Sequence, residues 1–222
     1  NTAVTGGSFL IEKMPDPSAI WTRGKDKHTE WGAGDVTLAD MKPHYFNDFM
    51  LNRFMEQGKA ANWQVSYNPF EGGSDHVPFL EASIPGLLLW HFTDQFYHTD
   101  NDRLDKVSKT TEKNVATAAL ASAFTLVNAD HQTALAIISE IKSAATNRLN
   151  AEAELSKQAA KNGASASEET QILSAWADWY VKALGSVKDM EVGGASTEVT
   201  EAIETSQKEI QQLSEEIIGQ LR

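Results

Sequence analysis

The chain has 222 residues, a net charge of −12, no cysteine and 41% hydrophobic residues. The length allows one large domain or two small ones, with enough apolar residues for a core. The acidity excludes a nucleic-acid partner and an anionic membrane surface, both of which require clustered Lys and Arg. Without cysteine there is no disulfide framework, thiolate metal site or thiol nucleophile, and no apolar run is long enough to span a bilayer.

All six prolines precede residue 86, and sixteen of the nineteen aromatic residues precede residue 131. This shift divides the chain into an α/β part, 1–130, and a helical part, 131–222. In the first part Ser8 to Glu12 reads as a strand, and Pro15 to Asp35 as a loop. Asp40 is placed to cap a helix with Pro43 in its first turn. Phe46, Phe49, Met50 and Phe54 recur at helical spacing and mark a buried face, and Gly58 is the expected stop. Trp63 to Tyr67 alternates as a strand does. Pro85 to Trp90 is a continuous apolar run, the pattern of a strand buried on both faces. A helix is expected from about Ser108 to Asn128, with Val115, Ala119, Ala123 and Leu126 inward.

Three helices are expected in the second part. Leu135, Ile138, Ile141, Ala145 and Leu149 form the first stripe, ended by Asn162-Gly163. Ser165 and Glu168 have capping-box spacing. Ile172, Leu173, Trp176, Trp179, Tyr180, Ala183 and Leu184 form the second face, ended by Gly193-Gly194. Val199, Ile203, Ile210, Leu213 and Ile217 follow near heptad spacing. Such helices pack on one another as a bundle, on the α/β part, or across a homodimer.

Site-type chemistry concentrates between Gly72 and Asp102. Ser74-Asp75-His76 and Tyr97-His98-Thr99 flank the Pro85–Trp90 strand, and the region beyond strand ends is where open α/β sheets bind ligands. A neutral imidazole is a common metal ligand, and a tyrosine hydroxyl can donate to an oxyanion. By spacing alone a histidine beside aromatics is more often structural. His28 reads as a loop histidine or the wall of a specificity pocket, His44 and His131 as structural residues at helix starts, and His91 as either. There is no nucleotide-binding glycine loop, and no G-x-S-x-G elbow for a serine nucleophile.

Ser74-Asp75-His76-Val77-Pro78-Phe79, then Ile84-Pro85-Gly86, then Tyr97-His98-Thr99 with Asp102 three residues on, resembles the C-terminal half of metallopeptidase family 28. That family includes di-zinc aminopeptidases and glutamate carboxypeptidases, and glutaminyl cyclases share its fold. The resemblance covers about residues 1 to 128. It implies a mixed sheet flanked by helices, peptide hydrolysis by a metal-activated water, two zinc ions and a peptide substrate. It also implies a periplasmic or secreted location. His98 matches the last zinc ligand, and Tyr97 the tyrosine that hydrogen-bonds the substrate carbonyl. Asp75 and His76 match positions that support the pocket, and Asp102 one that steadies the loop or caps the next helix.

The family's other ligands and its general base come from a His-x-Asp pair, a Glu-Glu pair and an Asp, none of which precedes His98 here. Glu168-Glu169 and Glu215-Glu216 fall in the helical part. The expectation is therefore the C-terminal portion of a longer enzyme, beginning at Asn1 just downstream of the missing Asp. It would supply one zinc ligand of about five, be inactive alone, and have the N-terminal part of the same enzyme as its partner. Two alternatives stand beside this reading. One is a docking or dimerisation module on a degenerate scaffold. The other is a single-zinc glutaminyl cyclase, which would more usually carry tryptophan at position 97.

Overall fold

The computed structural model describes residues 9–32, 34–92 and 94–221. The expectations for Asn1 to Val4, Ser8 and the Gly6-Gly7 pair lie outside the described residues. The elements are β1 (Phe9–Glu12), α1 (Phe46–Ala61), β2 (Val65–Asn68), α2 (Val77–Glu81), β3 (Leu88–His91), α3 (Lys109–Val127), α4 (His131–Lys161), α5 (Ala166–Ser186) and α6 (Thr197–Gly219). The fold class is mixed α/β, as the sequence indicates, with a small sheet and predominantly helical remainder.

The sheet order is β2-β1-β3, with β2 parallel and β3 antiparallel to β1. Successive side chains of a strand point to opposite faces, and this sorts β1. Phe9 and Ile11 are fully buried toward the helices, where Phe9 stacks on Phe54 of α1 at 5.3 Å and meets Trp63 at 4.8 Å. Leu10 and Glu12 face the other way, opposite Trp90 and Leu88 of β3. The β3 run is an edge strand, with Leu88 and Leu89 only half-buried. Its apolar continuity suggested burial on both faces; instead its outer edge has no neighbour among the described residues, and it borders a cleft.

Several local expectations shift by a few residues. Asp40 caps nothing in α1; it closes a capping box with Thr37 around a short 3-10 turn. Helix α1 starts at Phe46, after Pro43. Gly58 lies inside α1 rather than after it, because the chain returns closely there: a Cβ would sit 2.7 Å from the Trp63 carbonyl oxygen. The left-handed residue that ends the helix is Asn62. In α3 the fully buried stripe is Asn114, Ala118 and Ser122; the expected Val115, Ala119 and Leu126 flank it, partly buried against the core, and Ala123 is exposed. Leu120, Phe124 and Val127 are therefore left exposed. Ser165 is the N-cap of α5 but makes no side-chain cap bond, so the capping box with Glu168 is not formed.

Helices α4, α5 and α6 pack on one another as a bundle whose apolar faces turn inward, centred on Ile141, Leu149, Leu173, Leu184, Val199 and Ile210. The bundle also packs on the α/β part, through the segment between β1 and α1. Trp179 Nε1 donates to the Pro15 carbonyl at 3.2 Å, and the Tyr45 N–H donates to Ser186 Oγ at 3.0 Å. Arg23 donates to Glu152 of α4 and to Glu169 of α5, each at 2.6 Å. Arg148 of α4 reaches back to Asp26 and lies over the Trp176 ring at 3.7 Å. Lys13 bonds Asp16 at 2.7 Å.

Asp48 lines the same seam, half-buried, with its Oδ2 shut off from solvent and without a hydrogen-bond partner. Burial raises its carboxyl to about 7; Lys13 and Arg148 oppose the rise, and Asp16 and Glu140 reinforce it. An unfolded aspartate titrates near about 3.9, so the fold holds this proton more tightly than the unfolded chain does. Stability from this group is complete below about pH 4 and declines as pH rises toward 7. Asp48→Asn should therefore raise the unfolding free energy at pH 8 by about 3 kcal/mol and change it little at pH 4; urea melts at the two pH values measure this. Replacing the guanidinium instead should be costly. Arg23→Ala leaves the buried Glu169 without a counter-charge, while Glu152 keeps Arg148 at 2.9 Å, and should destabilise by about 3–5 kcal/mol, read in the same melts.

Candidate active site

On the face of the sheet away from α1 lies a cleft of about 690 Å³. All four residues of β3 border it. Trp31 and Tyr97 stand on its walls, Glu71 to Ser74 form one end, and Glu12 lies at its base.

The base is built around Glu12, the last residue of β1. Its side chain is 1% exposed, and a buried carboxylate requires hydrogen bonds. Oε1 accepts from the Gly72 N–H at 2.8 Å and meets His76 Nε2 at 3.0 Å. Gly72 is left-handed (φ +81°), which lets the loop turn its amide onto the carboxylate. His76 precedes α2 and is itself buried, with its ring edge-on to Phe70 at 5.7 Å. His76 thereby ties the start of α2 to the end of β1. Asp75 beside it is exposed and does not reach the cleft lining.

Glu71 secures the opposite wall. It accepts from the Thr29 N–H, and from Thr29 Oγ1 at 2.6 Å, with His28 Nδ1 3.4 Å away. His28 lies in the loop behind this wall, half-buried, and is not among the residues that line the cleft. The hold on Thr29 places Trp31 over the end of β3, with ring centroids 5.4 Å from Trp90, 5.9 Å from Phe92 and 5.8 Å from Tyr97. Trp90 Nε1 donates to Asn68 Oδ1 at 3.4 Å. His91 is buried, and burial lowers its pKa against the pull of Asp94, so it is held as a neutral imidazole.

Residues 94–102 form a run of tight turns. Asp94 Oδ1 accepts from the Phe96 N–H at 2.9 Å, and Thr99 Oγ1 donates to the Phe96 carbonyl at 2.7 Å. Tyr97 lines the cleft and is 39% exposed. His98 follows in the left-handed region (φ +60°), a conformation that non-glycine residues rarely adopt. This turns its exposed ring to stack on that of Tyr97 at 3.8 Å, one residue beyond the lining. Asp102 is exposed and its N–H donates to the Thr99 carbonyl at 3.2 Å, so it closes the turn. It does not cap the next helix; Ser108 caps α3, accepting from the Thr111 N–H.

The structure brings Tyr97 and His98 together, and seats His76 under the same cleft. Glu12, Glu71 and Trp31 complete the cleft and were not singled out in the sequence. The signal for Glu12 was an acidic residue ending an apolar strand. Glu71 and Trp31 carry none beyond their composition.

These features describe an acidic, aromatic-walled cleft beside a mixed sheet. Residues 34–123 match the model for peptidase family M28. The match supports a family 28 metallopeptidase domain over that stretch, a family whose members are hydrolases of peptide bonds. The matched stretch contains Asp75, His76, Tyr97, His98 and Asp102, and stops before the bundle. Searches of curated proteins and of solved structures each gave no match. Members of the family generally use zinc. Among the described residues no three His, Asp or Glu side chains converge to hold a metal ion. His98 offers one outward imidazole and no second ligand beside it, so these residues alone do not compose a metal centre.

Glu12→Ala should leave His76 and the Gly72 amide unpaired in a buried place. A loss of about 1–3 kcal/mol is expected, together with faster amide exchange across Gly72–Ser74, both measurable by denaturation and hydrogen exchange.

Proposed function

We propose that the chain is the C-terminal portion of a zinc-dependent exopeptidase of the aminopeptidase type. The observation that carries this reading is the family 28 match over residues 34–123, with Tyr97 on the wall of an acidic cleft and His98 beside it. The cleft is lined by four carboxylates, Glu12, Glu30, Glu71 and Asp94, and by no Lys or Arg. A carboxypeptidase needs a cation to hold its substrate's terminal carboxylate. An amino terminus instead suits an acidic cleft, and the adjacent Trp31, Trp90 and Tyr97 rings suit an apolar first side chain.

In this reading Tyr97 donates its phenolic proton to the scissile carbonyl oxygen as charge develops there. His98, turned outward, is one ligand of a centre whose other ligands and general base lie on further polypeptide. The open outer edge of β3 supports this, because an unpaired strand edge is a template for another strand. Glu12 and His76 act through the Gly72–Ser74 loop and touch no substrate.

With zinc added, residues 1–222 alone should show no turnover of aminoacyl-p-nitroanilides, whereas a longer polypeptide containing them should. In that active form His98→Ala should remove zinc and activity together. Tyr97→Phe should lower kcat by about 10²-fold with KM little changed. Full activity of His98→Ala would remove this residue from the centre.

A further inference from the structure

The segment from Lys13 to Gly32 leaves β1, passes the helical bundle and ends at the cleft; Lys13 and Met14 are also held by Asn68 of β2 and Asn47 of α1, and the fastenings beyond them lie mainly on the bundle or the cleft. At the bundle end, Pro15 accepts from Trp179 of α5, Arg23 is bound by Glu152, Ser156 and Glu169, and Asp26 by Arg148. At the cleft end, Thr29 is bound by Glu71, and Trp31 packs on Trp90 and Tyr97. Within the segment there is no strand or α-helix, only one short 3-10 turn. Its backbone bonds between residues 20 and 32 are local, such as Asp26 N–H to the Arg23 carbonyl and Gly32 N–H to the Thr29 carbonyl. A loop with so little internal structure takes its position from its ends.

We propose that Trp31 is a specificity-determining wall of the cleft, and that helices α4 and α5 position it through Arg23 and Arg148. The bundle would then be a part of the binding site, acting at a distance through a latch of ion pairs. The kinetic half of this proposal rests on the peptidase reading; the positional half does not. Arg23 and Arg148 are positioning residues: neither touches the cleft, and both hold the segment that does. The choice of arginine fits the task. One planar guanidinium with several fixed donors spans carboxylates on two different helices, so Arg23 fixes the segment relative to both α4 and α5.

The test uses hydrogen exchange and kinetics on matched variants. Arg23→Met and Arg148→Met with Asp26→Asn, Glu152→Gln and Glu169→Gln open both arms of the latch and remove the charges on both sides together, so no buried ion is left unpaired. Ile210→Ala, in the α6 face of the bundle core, loosens the bundle without touching the latch. The latch variant should speed exchange at Asp26, Thr29, Trp31 and Gly32 by about tenfold or more, leaving the β1 and β2 amides protected. Ile210→Ala should leave those four amides unchanged. Equal acceleration in both variants, or in neither, overturns the positional half.

In the polypeptide that carries peptidase activity, Trp31→Ala should raise KM about tenfold for substrates with an apolar first residue, with kcat little changed. Adding the latch substitutions to Trp31→Ala should raise KM no further, because both act on the same wall. Additive effects would overturn the role of the latch in specificity. Absence of any turnover would overturn the peptidase reading and the kinetic half with it, and the exchange result would still decide the position of the segment.

Discussion

Arg23 holds this structure together as no other side chain does. It leaves a segment without regular structure, enters the groove between α4 and α5, and binds a carboxylate on each. Both carboxylates are almost wholly buried. Desolvating such ions costs several kcal/mol apiece, so the net gain in stability over an apolar seam is small. What the arrangement provides is register. An apolar seam can slide by a helical turn; a fork bound to Glu152 and Glu169 at once cannot. The loop between β1 and α1 is thereby fixed relative to a bundle that begins more than a hundred residues later.

The seam also explains how the two compositional halves meet. The aromatic-rich first part and the helical second part share a core, one of the packings the sequence allowed, in which Trp176 and Trp179 of α5 lie beside Arg148 and Pro15. The seam contains more carboxylates than cations: Asp16, Asp26, Asp48, Glu152 and Glu169 surround Lys13, Arg23 and Arg148. Asp48 is the group left without a partner. Its high affinity for a proton is the response expected of a desolvated acid in a network already short of positive charge.

Much of this was legible in the sequence, for identifiable reasons. The helices of the second half were visible because each carries a long stripe of one period, as with Ile172, Leu173, Trp176, Trp179 and Tyr180. The placement of Tyr97 and His98 beside one another after a strand was likewise local. The phase of α3 was legible only in part: Val115, Ala119 and Leu126 do pack on the core, but Ala-rich helices give little contrast between faces, and Asn114 and Ser122 are the fully buried positions while Leu120 and Phe124 are exposed. That β3 is an edge was invisible too, because periodicity reports hydrophobicity and not which neighbour is present. The cleft walls depend on contacts across long separations, Glu12 to His76 and Thr29 to Glu71, and no spacing rule encodes them.

The exposed side of α3 and the open edge of β3 are two unpartnered surfaces among the described residues. A strand with unpaired backbone groups and a helix showing Leu120, Phe124 and Val127 are each incomplete by the usual standards of a soluble surface. A cleft with four carboxylates and one outward imidazole is incomplete in the same sense for chemistry. The unpaired edge borders the cleft and lies on the stretch that the family 28 model matches, whereas the bundle turns its apolar faces inward. A strand added at that edge would pair the open backbone of β3 and border the cleft at the same time.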